Sequence, residues 1–421
     1  MAREEIDLYN VGALDSVENL AKALSLLRAD FDAHNHDGSS SRQLENIIAR
    51  TLQVQSAIIG GYKLFQATVG PTQSDFKTVA EALKAGKTRI FVRNGTYLSE
   101  PKWTISNANT VIVGESYGGV SITFAEDTAN HRSISTTAAN AKFANLKLTA
   151  YSTTASDLFY FNGQYPLVED CILVNINGKI FNSAYGANLH ATLRNLLISV
   201  TTVTDAANYR SFVSISGSLI QNVIINHAGI GTENLIIADS CSKSIFANLR
   251  FLRTANGTSK ITTCEDSYFL NSYFYLQELA SMQSNFDACI LENNTYIPGS
   301  FLALDSAFGR LNNCKVIVGT GNTVLTASAS SIQIHNNFFR GGSAITIQNA
   351  SINIQGNSFS GNNWVTDYDT TAPTLLLGTG TRNGLCVNNI LRNNASGGAN
   401  TPVITDSGTG NTVANNKLIL A

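Results

Sequence analysis

Three groups of residues in this chain have types and spacings that could do chemistry. The first is His34-Asn35-His36, followed by Asp37 and Gly38. In extended chain both imidazoles point the same way, and imidazole suits Zn, Fe, Cu or Ni. The second is carboxylates, because glycoside hydrolysis needs two across a groove. Asp367 and Asp369 can share one strand face, and Glu278 precedes Asp287 and Glu292, whereas the neighbours Glu265 and Asp266 point to opposite faces. The third is aromatic: Tyr273 and Tyr275 alternate with Phe274, and Trp364 and Tyr368 stand near Asp367 and Asp369. Aromatic rings lining a groove suit sugar rings. The plain alternatives are an exposed polar turn for the histidines and packing between coils or subunits for the rings. No Gly-x-Ser-x-Gly, P-loop or His-Glu-x-x-His is present.

The elements that would position these groups follow from a repeated phrase. Asn145, Asp170, Asn195, Asn222 and Asn248 recur at steps of 25, 25, 27 and 26 residues. Apolar residues stand two before, one after and three after each, as in Leu193, Leu196 and Ile198 around Asn195. A straight strand would send the first two to opposite faces, so the chain must bend at the Asn, which tolerates left-handed backbone. Weaker copies are placed at Asp266, Ala288, Asn313, Asn337, Asn357, Asn389 and Asn416. Twelve such coils stacked at about 4.8 Å predict a parallel β-solenoid on the order of 55 Å long. A helical solenoid is disfavoured by the β-branched content.

Composition supports many corners and few charges. Charged residues make up 14% of the 421 and the net charge is −2, with no basic run, which argues against nucleic acid as the main partner. The six cysteines form no CxxC and fall mostly at inward positions, so they are expected as free thiols in the core. The N-terminus has no apolar h-region, so no signal peptide is expected, and no stretch is long and apolar enough for membrane insertion. Residues 15–31 predict a helix: Asp15 and Glu18 form a capping box, and Val17, Leu20, Leu24, Leu27 and Phe31 follow an a/d seam. Two heptads are marginal alone and make sense as one strand of an oligomer. His34 continues that seam, so a threefold axis would gather up to six imidazoles.

His-x-His-Asp-Gly after a short helix resembles a motif of bacteriophage tail fibres and tailspikes, which implies a homotrimer holding a transition-metal ion, Fe or Zn, on its axis through His34 and His36. A second resemblance lies at Asp75–Ala85, Arg89–Arg93 and Thr110–Ser116. It is similar to the entry of pectate-lyase-like right-handed β-helices, where a short helix capped by Ser74 and stopped by Gly86 would cover the first coil. The calcium-binding Asp cluster and Arg of true pectate lyases cannot be placed, so lyase activity does not follow. The expected fold is therefore all-β, a right-handed parallel β-helix over 62–421 with a capping helix near 75–85. Residues 1–61 would form an N-terminal helix, metal motif and neck for trimerisation and attachment.

The resemblance implies a virion protein, extracellular after release, that meets a tail or baseplate protein at one end and bacterial surface polysaccharide along the rod. Two other classes stay open: a capsule or O-antigen depolymerase, hydrolase or lyase, and a particle structural or decoration protein with no glycan site. If an enzyme, its weak catalytic candidates are Asp367, Asp369, Glu278 and Asp287. The expected carbohydrate contacts are Tyr273, Tyr275, Trp364 and Tyr368.

Overall fold

The computed structural model of the chain describes residues 58–59, 62–63, 65–125, 132–150, 156–175, 178–184, 189–200, 210–227, 235–253, 259–276, 282–287, 290–292, 294–297, 302–304, 309–318, 323–327, 331–341, 344–347, 354–355, 358–366, 374–379, 381–394 and 401–420. The expected helix at 15–31, His34, His36, Glu278, Asp367, Tyr368 and Asp369 lie outside the described residues, as does the side chain of Asp287.

From Ala67 onward the chain is a parallel β-solenoid. Its described strands fall mainly in one sheet of 27 and another of 13. A typical described coil gives two short strands to the first sheet and one to the second; at Thr192–Val200 and Leu219–His227 the first two run on as one strand through the bend. In one coil Lys142–Ala144 and Lys147–Ala150 meet at Asn145, and Ser156–Phe161 crosses to the second sheet. Lys142–Ala144 pairs in parallel with Val111–Gly114 on one side and Leu167–Glu169 on the other.

The bend at each Asn is a single left-handed residue. φ is 56° at Asn145, 52° at Asp170, and 54° at both Asn195 and Asn222. The side chains link the coils: Asn195 Nδ2 donates to Asp170 Oδ1 at 3.0 Å and Asn222 Nδ2 to Asn195 Oδ1 at 3.1 Å. The bend turns the flanking apolar residues inward together. Leu193, Leu196 and Ile198 are buried, and so are their equivalents in the neighbouring coils. Phenylalanines stack along the core in the same register, Phe181 on Phe212 at 5.7 Å and Phe246 on Phe269 at 4.5 Å. Each fully buried ring or branched chain contributes about 1.5–3 kcal/mol of transfer free energy.

Several later corners lie elsewhere than the phrase places them. Asp266 does have positive φ, but it turns the chain from the second sheet into the first, and the corner within the first sheet is Asn271. At Asn337, Asn389 and Asn416 the left-handed residue is the preceding Asn, at 336, 388 and 415. In an Asn-Asn pair the sequence alone does not say which residue bends. The second Asn takes the inward position instead and forms a buried ladder. Asn362 Oδ1 accepts from the Asn337 N–H at 2.9 Å, and Asn362 Nδ2 donates to the Ile334 carbonyl at 2.8 Å. The same pattern joins Asn389 to Asn362 and Asn416 to Asn389.

The capping helix exists but is shorter than expected, Val79–Lys84, and its N-cap is Thr78, not Ser74. Thr78 and Glu81 form a capping box. Asp75 is drawn out of the helix by Thr68, whose N–H and hydroxyl both donate to Asp75 Oδ2, at 2.8 and 3.0 Å. Gly86, at φ 74°, stops the helix as expected. Before the solenoid, Ile58–Ile59 pairs antiparallel with Tyr62–Lys63.

Candidate functional site

Among the described residues, one coil carries three tyrosines on the first sheet's outer face. Tyr268 stands three residues before the Asn271 corner, and Tyr273 and Tyr275 stand two and four after it. These are outward positions, while Phe269 and Phe274 point into the core. Tyr268 is 43% exposed and Tyr275 41%, with Tyr273 half-buried between neighbours. Strand register fixes what surrounds them. Arg250 is directly above Tyr273, with Thr295 and then Lys315 below. Tyr268 lies beneath Ile245 and two coils above Arg310. Glu292 is one coil below Leu270 and accepts from Asn312 Nδ2 at 3.3 Å. The result is a hydrophobic surface rimmed by exposed Arg250, Arg310 and Lys315. It can take the apolar face of a ring and donate hydrogen bonds to its hydroxyl or carboxylate oxygens.

Tyr273 and Tyr275 thus share one outer face, as the alternation predicts. Trp364 does not join them. It is 1% exposed, and its Nε1–H donates to the Gly341 carbonyl at 3.4 Å. The corner of its coil is Gly361, at φ 65°, which puts Trp364 three residues on, at an inward position. The Asn-centred phrase hides that corner because Gly stands where Asn usually does. Tyr368 and three of the four acidic candidates, Asp367, Asp369 and Glu278, fall outside the described residues; Asp287 ends the strand Met282–Asp287 in the second sheet. Among the described residues no group of three or more His, Cys, Asp or Glu could hold a metal ion.

A second chemical surface went unread in the sequence. On the outer face of the second sheet, cations and acids from successive coils pair. The Arg132 guanidinium lies 3.3 Å over the Tyr160 ring, and its Nε is 3.9 Å from Asp157. Asp157 also accepts from Asn182 Nδ2 at 2.8 Å. Arg210 forms an ion pair with Asp239. Register puts Lys179 between Asp157 and Arg210. The two carboxylates are three coils apart, about 14 Å along the axis, beyond the separation at which two acids share one glycosidic bond. Each is matched by a cation, so this band reads first as a paired surface. Partners 25 to 29 residues apart show no local pattern; only the coil register predicts them.

Buried polar groups mark two further places. His227 is buried beside Arg253 in register, and its pKa is pushed down to about 4, first by burial and second by the guanidinium. Under the capping helix, buried Glu100 accepts from the Ala80 N–H at 3.0 Å and Trp103 Nε1–H at 2.9 Å, and burial raises its pKa.

No protein-family profile matches the chain, and no curated protein does. Solved structures resemble it at low identity. The A-module of the Azotobacter vinelandii mannuronan C-5 epimerase AlgE6 is 12% identical over 80% of this chain and 93% of its own, with a TM-score of 0.43. The catalytic domain of a GH87 alpha-1,3-glucanase is 11% identical over 82% and 68%, at 0.40. The PL6 alginate lyase AlyGC is 12% identical over 79% and 70%, at 0.34. None of these scores reaches 0.5.

Proposed function

We propose that the chain is the rod of a bacteriophage tail fibre or tailspike, and that its outer face binds bacterial surface polysaccharide. The tyrosine patch carries this reading. Three tyrosines on one coil of a rigid scaffold, two of them more than 40% exposed, form a preorganised surface that loses little entropy on binding. The cations around it supply donors without burying charge. Among the described residues the carboxylates nearest the tyrosines are Glu292, one coil below Leu270, and the exposed corner pair Glu265 and Asp266, three and two residues before Tyr268; glycoside hydrolysis needs two across one bond. The virion setting rests on the His34–His36 motif and the amphipathic helix before it. In this reading three chains join there, bind a transition metal on their axis, and meet a tail or baseplate protein.

The test is an array of purified O-antigen and capsular polysaccharides probed with the full chain. Binding by the parent and a loss of at least tenfold in Tyr268→Ala with Tyr275→Ala is expected; a parent that binds nothing overturns the reading. Release of reducing ends from a bound polysaccharide would move the assignment to a depolymerase. For the N-terminal part, light scattering with metal analysis is expected to give a trimer holding about one ion per three chains. A metal content unchanged in His34→Ala with His36→Ala would remove the axial site.

A further inference from the structure

The corner from the second sheet into the first recurs at Asn109, Asn140, Tyr165, His190, Gly217 and Lys243, with φ between 52 and 64°. Its backbone bond is the same in each of these coils. The Tyr165 N–H donates to the Leu189 carbonyl at 2.8 Å and the His190 N–H to Ser216 at 3.2 Å, as Asn140 does to Gln164 at 2.9 Å. Left-handed backbone suits Gly and Asn and is tolerated by His; it is unfavourable for Tyr, and the corner's bonds require neither ring. The two rings nonetheless stack, centroids 5.5 Å apart and 12° from parallel. His190 Nδ1 lies 3.1 Å from the Gly217 carbonyl, which ties the ring to the next coil. Tyr165 is 51% exposed.

Two residues beyond this corner begins an outward row of the first sheet. Strand register carries it from Leu167 through Thr192, Leu219 and Ile245 to Tyr268. Leu219 and Ile245 are 36% and 41% exposed, an apolar row where a sheet's outer face is ordinarily polar. Aromatic rings thus stand at both ends of an exposed apolar strip that follows the rod axis.

We propose that the Tyr165–His190 stack is a second pyranose-binding subsite, joined to Tyr268 by a glycan track over Leu219 and Ile245. The proposal rests on the glycan-binding reading and deepens it. Four coil steps separate the ends, about 19 Å, so the ligand is an oligosaccharide of several units lying along the axis. A single sugar reaches one end and gains nothing from the other.

The test uses the full chain, the same O-antigen and capsular array, and the variants Tyr165→Asn and His190→Asn, which keep a residue suited to left-handed backbone. Tyr165→Asn is expected to weaken binding of the bound polysaccharide at least tenfold while its Tm equals or exceeds the parent's. Parent binding that neither variant changes overturns the subsite and leaves the Tyr268 contact standing. Absence of any parent binding overturns the underlying reading instead. A fall in Tm alongside the fall in binding makes the rings structural and overturns the subsite. So does a change in light-scattering mass with polysaccharide binding intact, which assigns the strip to contact between copies of the chain.

Discussion

At the residue scale, the left-handed corners concentrate local backbone strain and so give sharp mutational tests. Asn195, at φ 54°, bonds to the coils on both sides. Asn195→Leu loses those bonds and puts an unsuited side chain in left-handed backbone, so it is expected to cost about 1–2 kcal/mol in denaturant unfolding. A variant as stable as the parent would mean the bend tolerates any side chain. The cysteines make the opposite case. Cys171, Cys314 and Cys386 are buried, and burial first of all pushes each thiol up to about 12. They are expected to be silent to a thiol reagent at pH 8 in the folded protein and reactive once denatured.

His227 adds a pH signature at the same scale. Its folded pKa of about 4 lies below the ordinary value of 6.5, so the unfolded chain takes up the proton first as pH falls. The stability it confers is full above about pH 6.5 and is lost on acidification toward pH 4, on the order of 3 kcal/mol. His227→Gln is expected to flatten that part of the stability–pH curve. An unchanged acid limb would assign the loss to other groups.

At the scale of elements, the two most specific devices are the cap and the Asn ladder. Glu100 ties the helix Val79–Lys84 to the first coils by accepting from Ala80 and Trp103. Because burial raises its pKa, rising pH charges it at a cost and works against the fold. Glu100→Gln still offers an acceptor without the charge and is expected to keep or raise the Tm. Glu100→Ala strands two donors and should cost about 1–3 kcal/mol. Equal Tm values for the two variants would show that the acceptor does not matter. In the ladder, Asn362 accepts from Asn337 and donates to Ile334 and Asn389. Asn362→Leu matches the apolar residues of earlier coils, such as Leu196, yet leaves those partners buried and unmet. A loss of several kcal/mol is expected, read in the C-terminal coils by hydrogen exchange.

For the whole molecule, stacking makes stability nearly one-dimensional, since each coil contacts its neighbours and little else. Val413, Leu418 and Leu420 in the last described coil are 40%, 41% and 45% exposed, whereas their row-mates one coil earlier, Cys386, Leu391 and Asn393, are buried. Exchange protection is therefore expected to be lowest at residues 412–420 and highest between Phe143 and Phe274. Uniform protection along the rod would show that another chain covers that end. No helix among the described residues is long and apolar enough to cross a membrane.

The sequence alone determined the solenoid, the bend at Asn145 through Asn248, the inward triplets, and the outward placement of Tyr273 and Tyr275. It could do so because each follows from local backbone conformation and two-residue alternation. Tertiary structure decided the rest. Asn337, Asn389 and Asn416 are ladder rungs and their preceding Asn the bends; Gly361 is a corner, which buries Trp364; and Asp157 meets Arg132 and Asn182. Those outcomes depend on which residues 20 to 30 positions apart share a row. That register is set by loop lengths that differ from coil to coil, and a loop's length enters the structure only when the coil above and the coil below are both in place.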